Sequence, residues 1–197
     1  MKSPDTFVCV DLETTGLDPK QCEIIEIGAV KVENGKITAE FAELVKPSHP
    51  IPDFITHLTG ITDKKVRKAR SIEEVIPPFL DFVSGYKLLG QNVGFDVAFL
   101  RKAAGIGNID RAIDNIQLAR ILLPRLPSYS LDSLIDFFNL VPENRHRALD
   151  DARITAIIFL KLIDMLRMVK VSFLDEMLRM LSATDGILKD VFEAQLL

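Results

Sequence analysis

Two carboxylates, Asp11 and Glu13, stand two positions apart where an apolar, β-branched run ends. In a β-strand, side chains two positions apart point to the same face, so both carboxylates are directed to one place. Two like charges about 4 Å apart repel by roughly 1 kcal/mol in water and by roughly 4 kcal/mol at an effective dielectric constant of 20. A divalent cation that prefers oxygen ligands, Mg²⁺ or Mn²⁺, would turn this repulsion into attraction. Taken alone, the pair also fits an ordinary strand end that enters the polar turn Thr14-Thr15-Gly16.

A third carboxylate, Asp96, falls in the first turn of a predicted helix that follows a short strand. The positive end of a helix dipole stabilises an acidic side chain at such a position, which is the alternative to a functional role. Asn92 precedes the same helix, where it either caps the helix or contacts a ligand.

His146 and Asp151 are the last pair whose chemistry stands out. His146 lies in a charged loop, and Asp151 lies early in the long helix predicted to follow it. Histidine is the side chain best suited to accept a proton from water near neutral pH. In isolation, His146 also fits a surface residue of a charged linker, and the neighbouring Asp150 competes with Asp151 as the functional carboxylate.

The composition indicates what kind of protein positions these groups. A chain of 197 residues with 48% hydrophobic and 26% charged residues fits one globular domain with an ample core. No uncharged apolar run reaches about 18 residues, so no membrane span is predicted. Cys9 and Cys22 lack the spacing of a metal or redox motif, which favours reduced thiols and a cytoplasmic location. A net charge of −4 argues against a basic coat for nucleic acid, but not against contact with phosphate through bound metal.

Hydrophobic periodicity predicts strands at residues 7–12, 24–32, 37–45, 87–90 and 109–113. Asn34-Gly35 predicts a tight hairpin between the second and third strands, and prolines predict a loop after the third strand. Helices are predicted at residues 96–104, 131–138, 148–167 and 171–197, the last with a break near Gly186. A further helix should run from a capping box at Ser71 to about residue 83, with its two internal prolines expected to kink or shorten it. This order of elements indicates an α/β fold with a mixed sheet.

Three motifs, in this order, resemble the exonuclease motifs of the DnaQ-like superfamily: DLETTG at residues 11–16, QNVGFD at 91–96 and HRALDDA at 146–152. The HxxxxD spacing is similar to the DEDDh branch, since the sister branch has a tyrosine where this chain has Arg147. LTGIT at residues 58–62 and IDNIQLAR at 113–120 also fit, so the resemblance covers roughly residues 7–166. Because Thr59 replaces the histidine usual in proofreading epsilon subunits, the chain looks most like the exonuclease domain of Gram-positive polymerase III or of DinG-type helicases.

The resemblance implies an RNase H-like fold, with a mixed five-stranded sheet flanked by helices, and a 3′→5′ exonuclease that uses two divalent cations, Mg²⁺ or Mn²⁺. Asp11, Glu13 and Asp151 would hold one cation with the attacking water. Asp11 would also touch the second cation, which Asp96 would help to hold through water. His146 would take the proton from the attacking water. The expected substrate is a single-stranded or frayed DNA 3′ end, and the expected product is a nucleoside 5′-monophosphate.

Eight residues are expected to contact the substrate: Thr14, Thr15, Gly16, Leu17, Thr59, Ile61, Asn92 and Phe95. The backbone of the first three would meet the terminal nucleotide, because glycine allows close approach. Leu17, Ile61 and Phe95 would pack on terminal bases, although Leu17 and Ile61 equally fit an ordinary core. Asn92 would reach sugar or phosphate. The basic cluster within residues 64–70 either attracts a nucleic-acid strand or forms a solvated charged face.

We predict an exonuclease domain at residues 1–168 and a helical extension or linker at residues 169–197. The apolar stripes of the extension would be covered by its own domain, a second copy, or a following helicase or polymerase module. Proofreading, repair and helicase-linked processing all fit as roles. Two alternatives stay open: trimming of RNA 3′ ends, and a catalytically silent module that binds nucleic acid. The five active-site residues disfavour a silent module, whereas RNA recognition would need 2′-hydroxyl contacts that the sequence does not reveal.

Overall fold

The functional residues are carried by a five-stranded sheet in the computed structural model, which describes residues 5–105 and 112–169. The strand order is β3-β2-β1-β4-β5, and the strands are β1 (Phe7–Thr14), β2 (Ile24–Glu33), β3 (Lys36–Leu44), β4 (Leu88–Gly90) and β5 (Ala112–Asp114). The β1–β2 and β2–β3 pairs are antiparallel, while β1–β4 and β4–β5 are parallel. The predicted mixed sheet and the α/β class are therefore confirmed.

Helices flank both faces of this sheet. Within the described residues they are α1 (Asp53–Thr59), α2 (Asp63–Val66), α3 (Ile72–Val83), α4 (Gly94–Ala104), α5 (Asn115–Leu122), α6 (Leu131–Phe137) and α7 (Ala148–Arg167). Among the described residues, no helix combines the length and the apolar character that crossing a membrane would require.

The alternation of side chains along β1 determines the face of the sheet on which the candidate functional carboxylates lie. Phe7 and Cys9 belong to the core cluster that includes α7, where the rings of Phe7 and Phe159 lie 5.1 Å apart. Val8 and Val10 belong to the opposite cluster, which includes α3 and α4. Because a strand alternates with a period of two, the odd-numbered residues that follow Cys9 also face α7.

The segment after β3 and helix α3 differ in part from the prediction. The loop predicted from Pro47, Pro50 and Pro52 is confirmed, since residues 46–52 form neither helix nor strand. The two helices that follow it, α1 and α2, were not predicted, and their apolar side chains form a small core of their own with β2. Pro77 and Pro78 lie inside α3 and were expected to kink or shorten it; the helix reaches Val83 as predicted, so it is not shortened. Burial of three α3 side chains against the sheet outweighs the two missing backbone donors. The capping box is confirmed, since the Glu74 carboxylate accepts from the Ser71 backbone N–H at 2.8 Å.

The last strand and helix α5 also depart from expectation. The fifth strand was expected at residues 109–113, but β5 is Ala112–Asp114, and residues 109–111 lie outside the described part of the chain. Helix α5 follows β5 at once, because the Asp114 side chain accepts from the backbone N–H of Ile116 and caps it. The predicted extension at residues 169–197 lies outside the described residues except for Val169, so the division at residue 168 stays a prediction.

Candidate active site

Three carboxylates meet where β1 ends beneath the first turns of α7. The alternation of β1 directs Asp11 and Glu13 toward α7, and α7 presents Asp151 to them. One ligand oxygen from each of these carboxylates lies within 4.8 Å of the other two. Asp150, the competing candidate, instead pairs with Arg153 at 2.8 Å. The structure thus brings together Asp11, Glu13 and Asp151, and leaves Asp150 outside this cluster.

The close approach of α7 depends on a glycine and a buried glutamate in β2. Gly28 pairs with Asp11 in the β1–β2 register, and a Cβ atom on Gly28 would lie less than 3.0 Å from the Ala148 carbonyl carbon. Glu26, which is buried, accepts a hydrogen bond from the Ala148 backbone N–H at 3.0 Å. The same carboxylate pairs with the Arg147 guanidinium, with an Nη2–Oε1 distance of 2.5 Å. These contacts fix the start of α7 directly above the end of β1.

Burial raises the pKa values of all three clustered carboxyl groups, and repulsion from neighbouring carboxylates adds to this effect at two of them. Burial, and then the charges of Asp96, Asp151 and Glu13, raise the pKa of Asp11 well above its usual range. Burial and then the charge of Asp151 raise the pKa of Glu13 to about 7. Burial likewise raises the pKa of Asp151, against hydrogen bonding and charge from Arg145. A cation among these oxygen atoms would favour the ionised forms.

Asp96 lies near the three carboxylates but outside the set whose oxygens meet within 4.8 Å. It is 3% exposed, and its Oδ1 atom has no hydrogen-bond partner among the described residues. Burial raises the pKa of Asp96, against hydrogen bonds from backbone N–H groups. A buried carboxylate oxygen without a partner is costly unless water or a ligand satisfies it. This orphaned oxygen and the all-oxygen donor set fit hydrated Mg²⁺ or Mn²⁺.

His146 lies in the loop that precedes α7, as predicted. Its backbone adopts the left-handed region with φ of 60°, and its backbone N–H donates to Asp151 Oδ2 at 3.2 Å. The residue is half-buried. Because a non-glycine residue rarely adopts this conformation without a local reason, the hydrogen bond to Asp151 ties the loop to the carboxylate cluster. The backbone of residue 146 is thereby held at the edge of the site.

The predicted substrate residues after β1 divide into a rigid turn and an exposed side chain. The Thr14 hydroxyl donates to the Gly16 carbonyl oxygen at 2.7 Å, and the Thr15 hydroxyl accepts from the Glu23 backbone N–H at 2.9 Å. These bonds hold the turn in one conformation. Leu17 follows it with 84% of its surface exposed, so Leu17 is available for contact and does not belong to the core.

The remaining residues that were expected to contact the substrate differ in their exposure to solvent. Ile61 is 1% exposed within the small core of α1 and α2, so the expectation that its side chain packs on a base is corrected. Thr59 is buried, and its hydroxyl donates to a backbone carbonyl one turn earlier in α1 at 2.9 Å. Asn92 is exposed, with φ of 55° and a backbone N–H that donates to Asp114 Oδ1 at 3.1 Å. Phe95 is half-buried at the first turn of α4.

Four residues that support the site were not singled out from the sequence: Glu26, Gly28, Asp114 and Arg145. A glycine inside a strand indicates the close approach of another backbone, so Gly28 could have been predicted from the sequence as a packing position. Asp114 followed by a helical segment is a capping pattern. No sequence pattern identifies Glu26 or Arg145, because their partners are determined only by the tertiary fold.

Comparison with known proteins places this arrangement in a family. The RNase_T exonuclease family matches residues 8–159. The PolC-type DNA polymerase III of Thermotoga maritima is 45% identical over 184 residues, which are 91% of this chain and 13% of that protein. The chain therefore spans about an eighth of the length of this relative.

Other relatives match a larger share of their own length. The DNA polymerase III subunit epsilon of Aquifex aeolicus is 40% identical over 163 residues, which are 81% of each chain. The 3′-5′ exonuclease DinG of Bacillus subtilis is 35% identical, over 88% of this chain and 19% of that protein. Exonuclease X in complex with 5′ overhanging duplex DNA superimposes with a TM-score of 0.66 at 30% identity, over 80% of this chain and 91% of that one. With its RNase H-like fold and its DnaQ-like motifs, the chain belongs to the exonuclease family.

Proposed function

We propose that this chain is a metal-dependent 3′→5′ exonuclease that hydrolyses phosphodiester bonds at DNA 3′ ends and releases nucleoside 5′-monophosphates. The observation that carries the proposal is the meeting of Asp11, Glu13 and Asp151 oxygens within 4.8 Å, in a chain of the exonuclease family. Burial and the neighbouring carboxylates raise the pKa values of Asp11 and Glu13, which supports the proposal because a bound cation would favour the ionised forms.

Each carboxylate has a role in holding two divalent cations, Mg²⁺ or Mn²⁺. Asp11, Glu13 and Asp151 would hold one, and Asp11 with Asp96 the other, with Asp96 acting through water. When bound, such a pair lowers the pKa of the attacking water and stabilises charge on the leaving 3′ oxygen. The unpaired Oδ1 of Asp96 suits a water-mediated contact, since a water molecule would satisfy it.

His146 is proposed as the general base that accepts the proton from the attacking water. The hydrogen bond from its backbone N–H to Asp151 holds the loop that carries His146 at the edge of the carboxylate cluster. The half-buried position leaves the ring able to return the proton to solvent after each turnover. A base of this kind contributes about 10²- to 10⁴-fold to the rate.

The substrate is proposed to be a single-stranded or frayed DNA 3′ end. Exposed Leu17 and the half-buried ring of Phe95 would contact the terminal bases, and exposed Asn92 would reach sugar or phosphate. The turn of Thr14, Thr15 and Gly16 would approach the terminal nucleotide through its backbone.

The setting of the activity is proposed from the relatives and from the thiols. Because PolC-type polymerases and a DinG exonuclease carry a similar segment within longer chains, we propose that this exonuclease works beside a polymerase or helicase module in proofreading, repair or helicase-linked processing. Cys9 and Cys22 are free thiols, which supports a cytoplasmic location.

Digestion of 5′-labelled DNA and RNA oligonucleotides, side by side with Mg²⁺ or Mn²⁺, tests the proposal. Single-stranded DNA should shorten from its 3′ end and release nucleoside 5′-monophosphates, and EDTA should stop the reaction. Asp11→Asn should lose orders of magnitude in rate while it stays folded, because the substitution removes a ligand and also a buried like charge. More than about a tenth of the wild-type rate in this variant would exclude Asp11 as a ligand.

The same experiment separates the alternatives. Faster digestion of RNA than of DNA would replace the DNA assignment with RNA 3′-end trimming. Binding of oligonucleotides without digestion under either metal would identify a catalytically silent module.

A further inference from the structure

Arg145 places a guanidinium group directly beside the carboxylate cluster. Its Nη1 atom donates to Asp151 Oδ1, and its Nε and Nη2 atoms each lie 2.9 Å from Asp132 Oδ1. The side chain of Asp151 is 8% exposed, whereas that of Asp132 is 70% exposed. Arg145 thus connects a buried ligand candidate to an acidic residue in solvent.

The charge of Arg145 acts on the whole cluster as well as on its partner. Its presence lowers the pKa of Asp11 and of Glu13, opposing the larger effects of burial and of like charges. It also lowers the pKa of Asp151 through hydrogen bonding and charge. The guanidinium therefore stabilises the ionised carboxylates, as a bound cation would.

Both oxygens of Asp151 are engaged in this arrangement. Oδ1 accepts from Arg145, and Oδ2 accepts from the His146 backbone N–H at 3.2 Å. A divalent cation that uses Asp151 must share or replace one of these hydrogen bonds. The backbone bond is fixed by the loop, whereas the long arginine side chain has a second partner, Asp132, that lies toward solvent.

We propose that Arg145 is a positioning residue that holds Asp151 in the metal-free protein, competes with the divalent cation for that carboxylate, and thereby sets the metal affinity. Asp132 retains the guanidinium when Asp151 turns to the cation. This inference rests on the proposed function, because it takes Asp151 to be a ligand. Its consequence is a site that is ordered before metal arrives but binds metal more weakly than its carboxylates alone would.

Titration of the nucleic-acid-free protein with Mn²⁺ by calorimetry tests this competition. Arg145→Met keeps much of the aliphatic side chain and removes the charge, so Mn²⁺ should bind more tightly, by roughly ten- to hundredfold if the change equals one hydrogen bond between charged groups. In EDTA the variant should melt at a lower temperature than the wild type, because the carboxylates lose their neutralising group. The gain in melting temperature on adding Mn²⁺ should accordingly be larger.

Two further variants keep the test decisive. Arg153→Met is the matched control, since Arg153 also links two acids, Glu40 and Asp150, but does not touch the cluster; its Mn²⁺ affinity should equal that of the wild type. Arg145→Lys retains a positive charge and should bind Mn²⁺ with an intermediate affinity, even if the methionine variant fails to fold.

Each outcome has a separate meaning. Equal or weaker Mn²⁺ binding by Arg145→Met, with binding by the wild type intact, would overturn the competition and leave the proposed function standing. Failure of the wild type to bind Mn²⁺ at all would instead remove the metal site on which the proposed function depends.

Discussion

Gly28 and Asp11 face each other across the β1–β2 pair, and the first turn of α7 crosses Gly28 so closely that no Cβ atom fits between them. The position of the helix that carries Asp151 therefore depends on the absence of a side chain in the neighbouring strand. Close packing of the α7 backbone against β2 thus sets the distance between the carboxylates of β1 and Asp151 of α7.

Gly28→Ala should consequently displace the start of α7. Overpacking of a tight contact costs about 1–3 kcal/mol, so the free energy of unfolding should fall by that amount, and Mn²⁺ affinity should fall with it. Urea unfolding in EDTA and Mn²⁺ titration measure the two effects. Gly94→Ala is the stability control, because a Cβ atom there meets nothing within 4 Å. Equal unfolding free energies for the wild type and Gly28→Ala would contradict the close approach.

The metal-free protein should lose stability as the pH rises between about 4.5 and about 7. The folded pKa of Glu13 is about 7, above its ordinary value of 4.5, so in this window the folded state binds more protons than the unfolded state. Stability falls with pH wherever that holds, and at about 1.4 kcal/mol per pKa unit the loss is on the order of 3 kcal/mol. Unfolding in EDTA at pH 5, 6, 7 and 8 measures it.

Glu13→Gln supplies the comparison for this pH dependence. The variant lacks the titrating group, so its stability should vary less over the same range, and it should be the more stable protein at pH 8. Mn²⁺ should bind the wild type more tightly as the pH rises, because the metal requires ionised carboxylates. Identical pH profiles for wild type and variant would show that Glu13 is ionised normally.

The sequence was informative where the signal was local. The period of two in β1 placed Asp11 and Glu13 on one face, and the capping box at Ser71 marked the start of α3. What the sequence could not show was set by tertiary packing. Ile61 is apolar and lies in the LTGIT motif that was expected to contact the substrate. Only the structure shows that it packs in the small core of α1 and α2.

Ion pairs across long sequence distances show the same limit. Glu26 and Arg147 lie 121 positions apart, and neither position carries a pattern that predicts their pairing. The two prolines of α3 show that packing also limits a local signal, since the helix continues through both of them to Val83. Local rules therefore located the candidate ligands, while tertiary packing determines how they are held together.

His146→Ala should lower kcat by about 10²- to 10⁴-fold, the typical contribution of a general base, while the Mn²⁺ affinity changes little. Because residue 146 has a positive φ, alanine also introduces backbone strain, and His146→Asn controls for it, since asparagine tolerates this conformation. At saturating Mn²⁺, where the ionisation of Glu13 no longer limits metal binding, any rise in rate with pH that depends on an imidazole base should be absent from both variants. A pH–rate profile unchanged in His146→Asn would exclude the histidine as the base.

Five exposed basic residues form a surface at and after α2, which we call the α2 basic surface: Lys64, Lys65, Arg67, Lys68 and Arg70. Lys65 Nζ donates to the Gly60 carbonyl oxygen at 2.7 Å, and Arg70 pairs with Glu43. In the described part of the chain, Lys64, Arg67 and Lys68 form no ion pair. Each unpaired cation can release a counterion when it neutralises a phosphate, so this surface should attract a single strand if the proposed function holds.

Replacing Lys64, Arg67 and Lys68 together by glutamine should weaken binding of single-stranded DNA in the Asp11→Asn background. Each phosphate contact contributes about 0.7 to the slope of log K against log salt for a single strand, so three contacts should reduce that slope by about 2. Fluorescence anisotropy at several salt concentrations measures it. Lys36→Gln, an exposed lysine at the start of β3, should leave the slope unchanged. If the triple variant keeps the wild-type slope, these cations face solvent alone, and the strand leaves the active site by another route.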